Sequence, residues 1–299
     1  AFSAQSRMLW ERRRSMNKKY FTPKKIHAYL RAAIQLVFFL FLPSAFTTAF
    51  SGIKSVLTQI GAGNPIAWSS FLTVLLALCA YTIVFGRFFC GYACAFGTLG
   101  DAVHSLYLFL CKKCKKKPLL LKKSWKKPLS YLKYAVLLAV VLLCFLGVYG
   151  DLTGWSPWDV FSMLRSGNFK VGAYWLGCIL LVLILVGMVF CERFFCRFLC
   201  PMGAVFSLLP ILPFFSVRRK REKCAKGCTA CEKVCPSDLS LPEDGSWNVS
   251  GDCFQCQKCL EICPKKNAKS SIRNFRGNEI WFTLLRAVVL AAVLILAGI

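Results

Sequence analysis

The sequence predicts a polytopic α-helical membrane protein: two tandem two-span repeats plus a C-terminal span, with a cysteine-rich module outside the bilayer. Three observations predict it. Hydrophobic residues make up 57 % of the 299 residues and mean hydropathy is +0.54, yet 39 Lys+Arg against 13 Asp+Glu leave a net charge of +26. An apolar chain with a basic excess is what membrane spans joined by basic loops produce. An element of the form R-F-F-C-x3-C-x2-G occurs twice, starting at Arg87 and at Arg193. Eight cysteines lie between Cys224 and Cys263, in two groups of four. The charges sit in blocks beside apolar spans, which argues against nucleic acid as a partner. Eighteen cysteines in a non-secreted pattern indicate metal rather than disulfides.

Residues 1–31 are basic, with Arg12, Arg13 and Arg14 in a row. The first repeat is expected over 32–110. Its first span, Ala32–Phe50, is interrupted by Pro43, and 51–66 read as a loop because glycines and G-A-G-N-P punctuate them. The second span, Ala67–Gly86, runs into Cys90 and Cys94 and then an amphipathic stretch to about Leu110. A basic loop, 111–133, opens with Cys111 and Cys114 and meets no acid. The second repeat, 134–215, holds spans at Tyr134–Tyr149 and Val171–Phe190, a turn with Trp155 and Trp158 suited to the membrane interface, and then Cys196 and Cys200. The module covers 216–266. Residues 280–299 are apolar enough to span, with Arg286 near enough to the start to snorkel; a helix covering the module is the other reading. The N-terminus, the loop after span two and the segment after span four are rich in Lys and Arg, and the other loops are poor in them. The positive-inside rule then places the N-terminus, the lysine loop and the module on the cytoplasmic side of a bacterial-type cytoplasmic membrane.

The second cysteine group reads Cys253-x2-Cys256-x2-Cys259-x3-Cys263-Pro264. The first reads Cys224-x3-Cys228-x2-Cys231-x3-Cys235-Pro236, one residue longer in its first gap. Such spacing brings three thiolates from one tight loop onto a 4Fe–4S cube, and the fourth crosses to the other cube. This predicts one cluster on Cys224, Cys228, Cys231 and Cys263 and another on Cys253, Cys256, Cys259 and Cys235, with iron bound through these cysteines. Zinc sites show paired C-x2-C rather than four-cysteine runs ending in C-P. The segment resembles two-cluster ferredoxins.

Arg87, Phe88, Phe89, Cys90, Cys94 and Gly97 map onto Arg193, Phe194, Phe195, Cys196, Cys200 and Gly203. Parallel repeats imply a pseudo-two-fold axis along the membrane normal, which would bring the two C-x3-C pairs together. Three readings stand for Cys90, Cys94, Cys196 and Cys200. They hold a third iron–sulfur cluster or other metal, with Arg87 and Arg193 offsetting its charge; they form a redox dithiol; or they are small apolar residues at helix ends.

Four core spans, the doubled F-C-x3-C element and the two-cluster module together make roughly residues 30–265 similar to the NapH/NosR-type membrane ferredoxins, the quinol-dehydrogenase-like subunits of periplasmic nitrate and nitrous-oxide reductase systems. Ala95 stands where that pattern has a first proline, Pro201 keeps the second, and the fifth span is an addition. The flavin-binding domain of some relatives is not evident, so a flavin would belong to a partner.

The resemblance and the cysteines imply one-electron transfer. The donor would be cytoplasmic, and the acceptor a membrane quinone or an extracytoplasmic, flavin- or cluster-containing redox subunit. All cysteine motifs fall on one side of a bilayer core about 30 Å thick, so a membrane redox partner is expected. No nucleophile–base pair and no G-x-G-x-x-G loop is present, so no catalytic residue is assigned, and the sequence leaves open whether the chain is itself an enzyme. The competing functions are a quinol dehydrogenase with its own quinone site, a redox-sensing regulator or maturation factor, and a transporter, for which the spans offer few polar groups. Of the remaining residues, His104 reads as a quinone donor or an interfacial histidine, and Cys191 as a substitute ligand. Cys79, Cys144 and Cys178 read as packing residues, and Asp101, Asp151 and Asp159 as rare acids near the membrane.

Overall fold

A computed structural model describes residues 23–150, 155–169, 171–212, 215–248, 250–272 and 278–299. The basic residues 1–22, Asp151, Arg273 and Arg276 lie outside the described residues. The chain begins with α1 (Pro23–Phe41) and α2 (Ala45–Gly61), which meet at a 61° bend. Pro43 sits in the break, where it withholds a backbone N–H and stops the first helix. The second helix corrects the expected loop at 51–66, because residues 51–61 are helical and only the residues after them turn. The glycines read as turn signals serve close packing instead. A Cβ on Gly52 would lie 2.5 Å from the carbonyl oxygen of Phe71, and one on Gly61 would lie 2.2 Å from that of Phe145. Small residues let membrane helices approach in this way.

α3 (Ser70–Phe85) starts on Ser69, whose Oγ accepts from the Leu72 amide at 3.3 Å. It is followed by a short α4 (Phe88–Tyr92) and the long α5 (Ala95–Lys113). The basic loop is not wholly irregular, since α6 (Lys123–Leu129) lies within it and leads into α7 (Leu132–Phe145). After α8 (Pro157–Arg165) and α9 (Trp175–Phe190), a π-helical turn at Phe195–Leu199 precedes α10 (Pro201–Leu208).

By length and apolarity, the described residues contain two helices able to cross a membrane, Ser124–Phe145 and Glu279–Leu296, or three if the bent pair α1–α2 counts as one span. α3 and α9 are strongly apolar but hold 16 residues each, about 24 Å at 1.5 Å per residue. Leu183 and Val186 on α9 and Leu138 and Leu142 on α7 stay exposed, as they would toward lipid. The protein is a mostly helical membrane protein.

The interior of the helical body is aromatic. Phe46 of α2 packs edge-on against Phe96 of α5 at 5.4 Å, and Phe96 meets Phe195 at 4.6 Å. Trp158 of α8 closes the cluster on Phe50 at 5.0 Å.

The cysteine module rests on a three-stranded antiparallel sheet of order β2-β1-β3, with β1 (Phe215–Lys220) between β2 (Asp244–Trp247) and β3 (Lys269–Ile272). Val217 pairs with Ser270, and Arg218 lies opposite Trp247 with its guanidinium 4.8 Å from the indole. Val217, Leu241, Leu260 and Ala268 form a small second core with Cys231, against which Cys259 and Cys263 pack. Two short helices, α11 (Ala230–Lys233) and α12 (Lys258–Ile262), carry cysteines, and α13 (Glu279–Leu296) ends the chain.

Candidate metal centres

The doubled element builds the first centre. In each copy the second cysteine is the N-cap of a helix: Cys94 precedes α5 and Cys200 precedes α10. A helix N-terminus offers unpaired N–H groups and a positive dipole end, which favour a thiolate. The Gly203 amide donates to Cys200 Sγ at 3.2 Å. The glycine that closes each motif is required by proximity. A Cβ on Gly97 would stand 2.8 Å from the Cys90 carbonyl oxygen, and one on Gly203 would stand 2.9 Å from that of Cys196 and 2.9 Å from Arg87 Nη2.

The fold brings Cys90, Cys94, Cys196 and Cys200 to one point, and all four are buried. Cys94 and Cys196 share a hydrogen bond. Cys90 and Cys196 are in electrostatic contact, as is Cys200 with both. The copies are not identical in backbone, because Cys196 lies in the π-helical turn whereas Cys90 lies in regular helix. Arg193 is held at φ 55°, a conformation rarely adopted by a side chain of this size.

The two arginines differ more. Arg193 is fully buried, and its Nε and Nη2 grip Asp101 at 2.9 and 2.6 Å. Its Nη1 and Nη2 also donate to the carbonyl oxygens of Cys90 and Gly91 at 2.7 and 2.8 Å. The second copy thereby fixes the cysteine backbone of the first. Gln35 of α1 donates to the same carboxylate at 2.8 Å. Asp101, which the sequence marks only as a rare acid near the membrane, is a site residue. Its signal was a rare acid fourteen residues after Arg87, in a chain whose matched position after Arg193 is Ser207. Arg87 therefore has no such carboxylate from the other copy. Its Nη1 donates to the Gly251 carbonyl oxygen at 3.2 Å and lies 3.6 Å from Asp252. No oxygen accepts from its buried Nε or Nη2; the Cys90 thiol faces it as a hydrogen-bond partner, and the Cys200 thiol lies within electrostatic reach. A fully desolvated cation beside Cys90, Cys196 and Cys200 favours negative charge on those thiols. A cube ligated by four thiolates carries such charge, so the residues present fit it.

In the module, Asn267 ties the ends of the first predicted set together. Its amide N donates to Cys263 Sγ at 3.2 Å and its Nδ2 to Cys224 Sγ at 3.3 Å. Arg219 Nη1 donates to Cys231 Sγ at 3.1 Å, and Arg221 Nη1 to the Cys228 carbonyl oxygen at 2.8 Å. Cys235 lies beside Cys253, Cys256 and Cys259, and all four line one cavity together with Cys231 of the first set. Gln255 and Gln257 adopt φ 52° and 61°, which folds the C-x2-C-x2-C loop tightly. Burial pushes the Cys253 and Cys256 thiols up to about 11. Among the described residues no three His, Cys, Asp or Glu close round a single metal ion. Ligands of a cube each bind a different iron, so they stand further apart than the ligands of one zinc.

The module docks on the doubled element. Phe254, between Cys253 and Cys256, meets both guanidiniums, 4.7 Å from that of Arg87 and 5.2 Å from that of Arg193. A Cβ on Gly91 would stand 2.3 Å from the Phe254 carbonyl oxygen. Arg193 lies within electrostatic reach of both Cys196 and Cys256. Arg197 clamps the Pro236 carbonyl oxygen and Asp238 at 2.6 and 2.7 Å.

The other candidates stay outside these centres. His104 Nδ1 lies 3.0 Å from the Val189 carbonyl oxygen, an anchor between α5 and α9. Cys191 is buried at the end of α9, Cys111 and Cys114 close α5, and Cys144 is buried within α7. Asp159 faces Lys54 at 4.0 Å.

Comparison with known proteins places the chain. Residues 67–128 and 173–221 match the 4Fe-4S binding domain family, and the matched segments contain Cys90, Cys94, Cys196 and Cys200. Two uncharacterized proteins of Methanocaldococcus jannaschii are similar. MJ0749 is 32 % identical over 64 % of this chain and 68 % of its own length, and MJ0750 is 31 % identical over 78 % and 90 %. The ferredoxin-type protein NapH of Haemophilus influenzae is 27 % identical over 67 % of each chain. No solved structure matches. Fold and cysteines together define an iron–sulfur electron-transfer protein of the membrane. The chain belongs to the NapH/NosR-type family of ferredoxin-like proteins.

Proposed function

We propose that the chain is a three-site electron relay. Electrons move between a cytoplasmic donor, the two cysteine sets of the module, the quartet Cys90, Cys94, Cys196 and Cys200, and a membrane quinone or an extracytoplasmic redox subunit. The observation that carries this reading is Phe254 of the Cys253–Cys259 loop, whose ring meets the guanidiniums of Arg87 and Arg193 beside the quartet. 4Fe–4S clusters supply one-electron redox chemistry with little nuclear movement when bound. In this reading Cys224, Cys228, Cys231 and Cys263 hold one cluster, Cys253, Cys256, Cys259 and Cys235 the second, and the quartet a third. The protein's part is spacing, exclusion of water and charge. Arg193, neutralised by Asp101, fixes the geometry; Arg87, against the Cys90 and Cys200 thiols, offsets negative charge at the quartet. The proposed topology has four core spans and a fifth at the C-terminus, with the module cytoplasmic, as the distribution of Lys and Arg favours.

The test is iron and acid-labile sulfide per chain in anaerobically purified protein, with electron paramagnetic resonance of the wild type and of a variant with all four quartet cysteines changed to Ser. Three cubes give about twelve iron atoms, falling to about eight in the variant. About eight in both, with unchanged spectra, would remove the third site. A second reading, a quinol dehydrogenase with its own quinone site, is favoured by one observation. Leu119, Leu121, Trp125, Phe190 and Phe194 line an apolar groove beside the second copy of the motif. Stoichiometric quinone in the purified protein would support it.

A further inference from the structure

Some of the module's acids turn inward, while Glu222, Glu243 and Asp244 stay exposed. Asp238, Asp252 and Glu261 face the helical body and pair with Arg197, Lys133 and Arg31. Lys258 turns inward too, to Glu192. Lys223, Lys226, Lys233, Lys265 and Lys266 are exposed. Each stands within three residues of a cysteine of the first set, Cys224, Cys228, Cys231 or Cys263. Local structure keeps that proximity. α11 holds Cys231 and Lys233 in one turn, and the Lys266 amide donates to the Cys263 carbonyl oxygen at 3.4 Å. The only acids in the same stretches, 221–235 and 263–267, are Glu222 and Glu232. Each set holds one buried cysteine, Cys231 or Cys256, and three that are partly exposed. The sets differ in surroundings: the first lies within a lysine rim, whereas the loop of the second faces Arg87 and Arg193 through Phe254.

We propose that this rim is the docking surface of an acidic one-electron carrier protein, which exchanges electrons with the chain at the Cys224, Cys228, Cys231 and Cys263 site. The inference rests on the relay reading above and adds where the soluble partner binds and what charge it bears. Like charges clustered around a redox site steer an oppositely charged protein and raise its association rate by about 10 to 1,000-fold at low salt. Charge complementarity favours a protein over a nucleotide donor, because the chain has no glycine loop to cradle phosphates. In each encounter the carrier loses one electron and the chain gains it; no bond forms or breaks.

The experiment uses the full chain, loaded with its clusters, in nanodiscs of zwitterionic lipid. An acidic flavodoxin in its hydroquinone form is the probe, followed by stopped flow, and oxidised flavodoxin is used for direct binding. The rim variant is Lys223→Glu, Lys226→Glu, Lys233→Glu, Lys265→Glu. A charge-matched control in the basic loop is Lys112→Glu, Lys113→Glu, Lys115→Glu, Lys116→Glu. At about 20 mM salt the rim variant should lose at least about 10-fold in both rate and affinity, with the difference vanishing near 500 mM. The loop control should stay within about two-fold of wild type, since it lies outside the rim. A rate insensitive to salt, or an equal loss in the loop control, overturns the docking surface. So does a rim variant that loses binding to vesicles of anionic lipid while its flavodoxin rate is unchanged, which makes the rim a membrane contact. Methyl viologen radical, a small cation, separates the two readings. Full reduction of wild type and rim variant by it shows the relay intact whatever flavodoxin does, and failure to reduce the wild type counts against the relay itself.

Discussion

Arg87 and Arg193 stand at matched positions of a repeat, yet Arg193 is gripped by a carboxylate of the other copy while Arg87 only approaches Asp252 of the module at 3.6 Å. The carboxylate that neutralises Arg193 is Asp101, and its counterpart in the second copy is Ser207. Breaking a buried pair by removing one partner costs about 3–5 kcal/mol, because the other charge is left desolvated. Asp101→Asn should therefore lower the unfolding temperature of the purified protein by several degrees. It should also loosen the Cys90 and Gly91 carbonyls that Arg193 holds. Ser207→Asp tests the opposite change. The Ser207 carbonyl oxygen lies where a Cβ on Gly251 would meet it at 2.2 Å, and Arg87 donates to Gly251, so a carboxylate introduced there comes near Arg87. Neutralising a cation beside a cluster disfavours the more negative, reduced state. The midpoint potential of the quartet site should fall in Ser207→Asp, as read by a potentiometric titration followed by electron paramagnetic resonance, while the potentials of the module stay in place. An unchanged quartet signal would show that Arg87 does not act on that site.

Elements decide how closely the two halves approach. The loop Cys253–Cys259 meets α4 through backbone, at Gly91 against the Phe254 carbonyl. Gly91→Ala must push that loop away by a few tenths of an ångström or more, because a carbon cannot sit 2.3 Å from an oxygen. The expected outcome is a slower electron step between module and quartet with the iron content unchanged, measured by rapid-freeze spectroscopy after mixing with reductant. The same loop makes cluster loading pH-dependent. Burial raises the Cys253 and Cys256 thiols to about 11, so both are protonated at neutral pH in the metal-free chain. Binding iron requires thiolates and releases those protons, so loading strengthens as pH rises toward 11 and weakens as it falls. Reconstitution of metal-free protein at pH 8.5 should outpace that at pH 6.5. The cysteine pattern of this element was legible in the sequence, because cluster chemistry dictates its spacing. The sheet behind it was not: β2 and β3 have four residues each, too few for alternation to show, and Arg219, on the central strand, is buried because it donates to Cys231. Residues 51–61 were misread for a related reason. Glycine signals a turn in isolation, and only the partner helix reveals that it serves packing.

Across the whole molecule, the sequence carried the repeat, the module and the broken first span, since each leaves a local mark: a motif, a spacing, a proline. Links between distant residues left none. Arg193 and Asp101 are 92 residues apart, and Arg31 reaches Glu261 across 230. The largest such link is α13. Its apolar composition marks it as able to cross a membrane, yet it is also tied to the module. Arg286 Nη2 donates to Ser270 Oγ of β3 at 2.8 Å, Gln257 Nε2 donates to Thr283 Oγ1 at 2.9 Å, and Tyr81 of α3 donates to the Arg286 carbonyl oxygen at 2.9 Å. The Arg286 guanidinium also covers the Phe88 ring at 5.2 Å. One helix thus fastens the sheet, the Cys253–Cys259 loop and the first repeat together. Ending the chain at Asn278 removes all four contacts and opens the buried side of that loop to water. Oxygen reaches a solvent-exposed cluster faster than a covered one, so the truncated protein should bleach severalfold faster in air at the Cys253, Cys256, Cys259 and Cys235 site. The Cys224, Cys228, Cys231 and Cys263 site, outside those four contacts, should bleach at its former rate. Spectra of the two sites, resolved by partial reduction, would separate these outcomes. Equal bleaching of both would mean that α13 holds the module as a unit rather than shielding one cysteine loop.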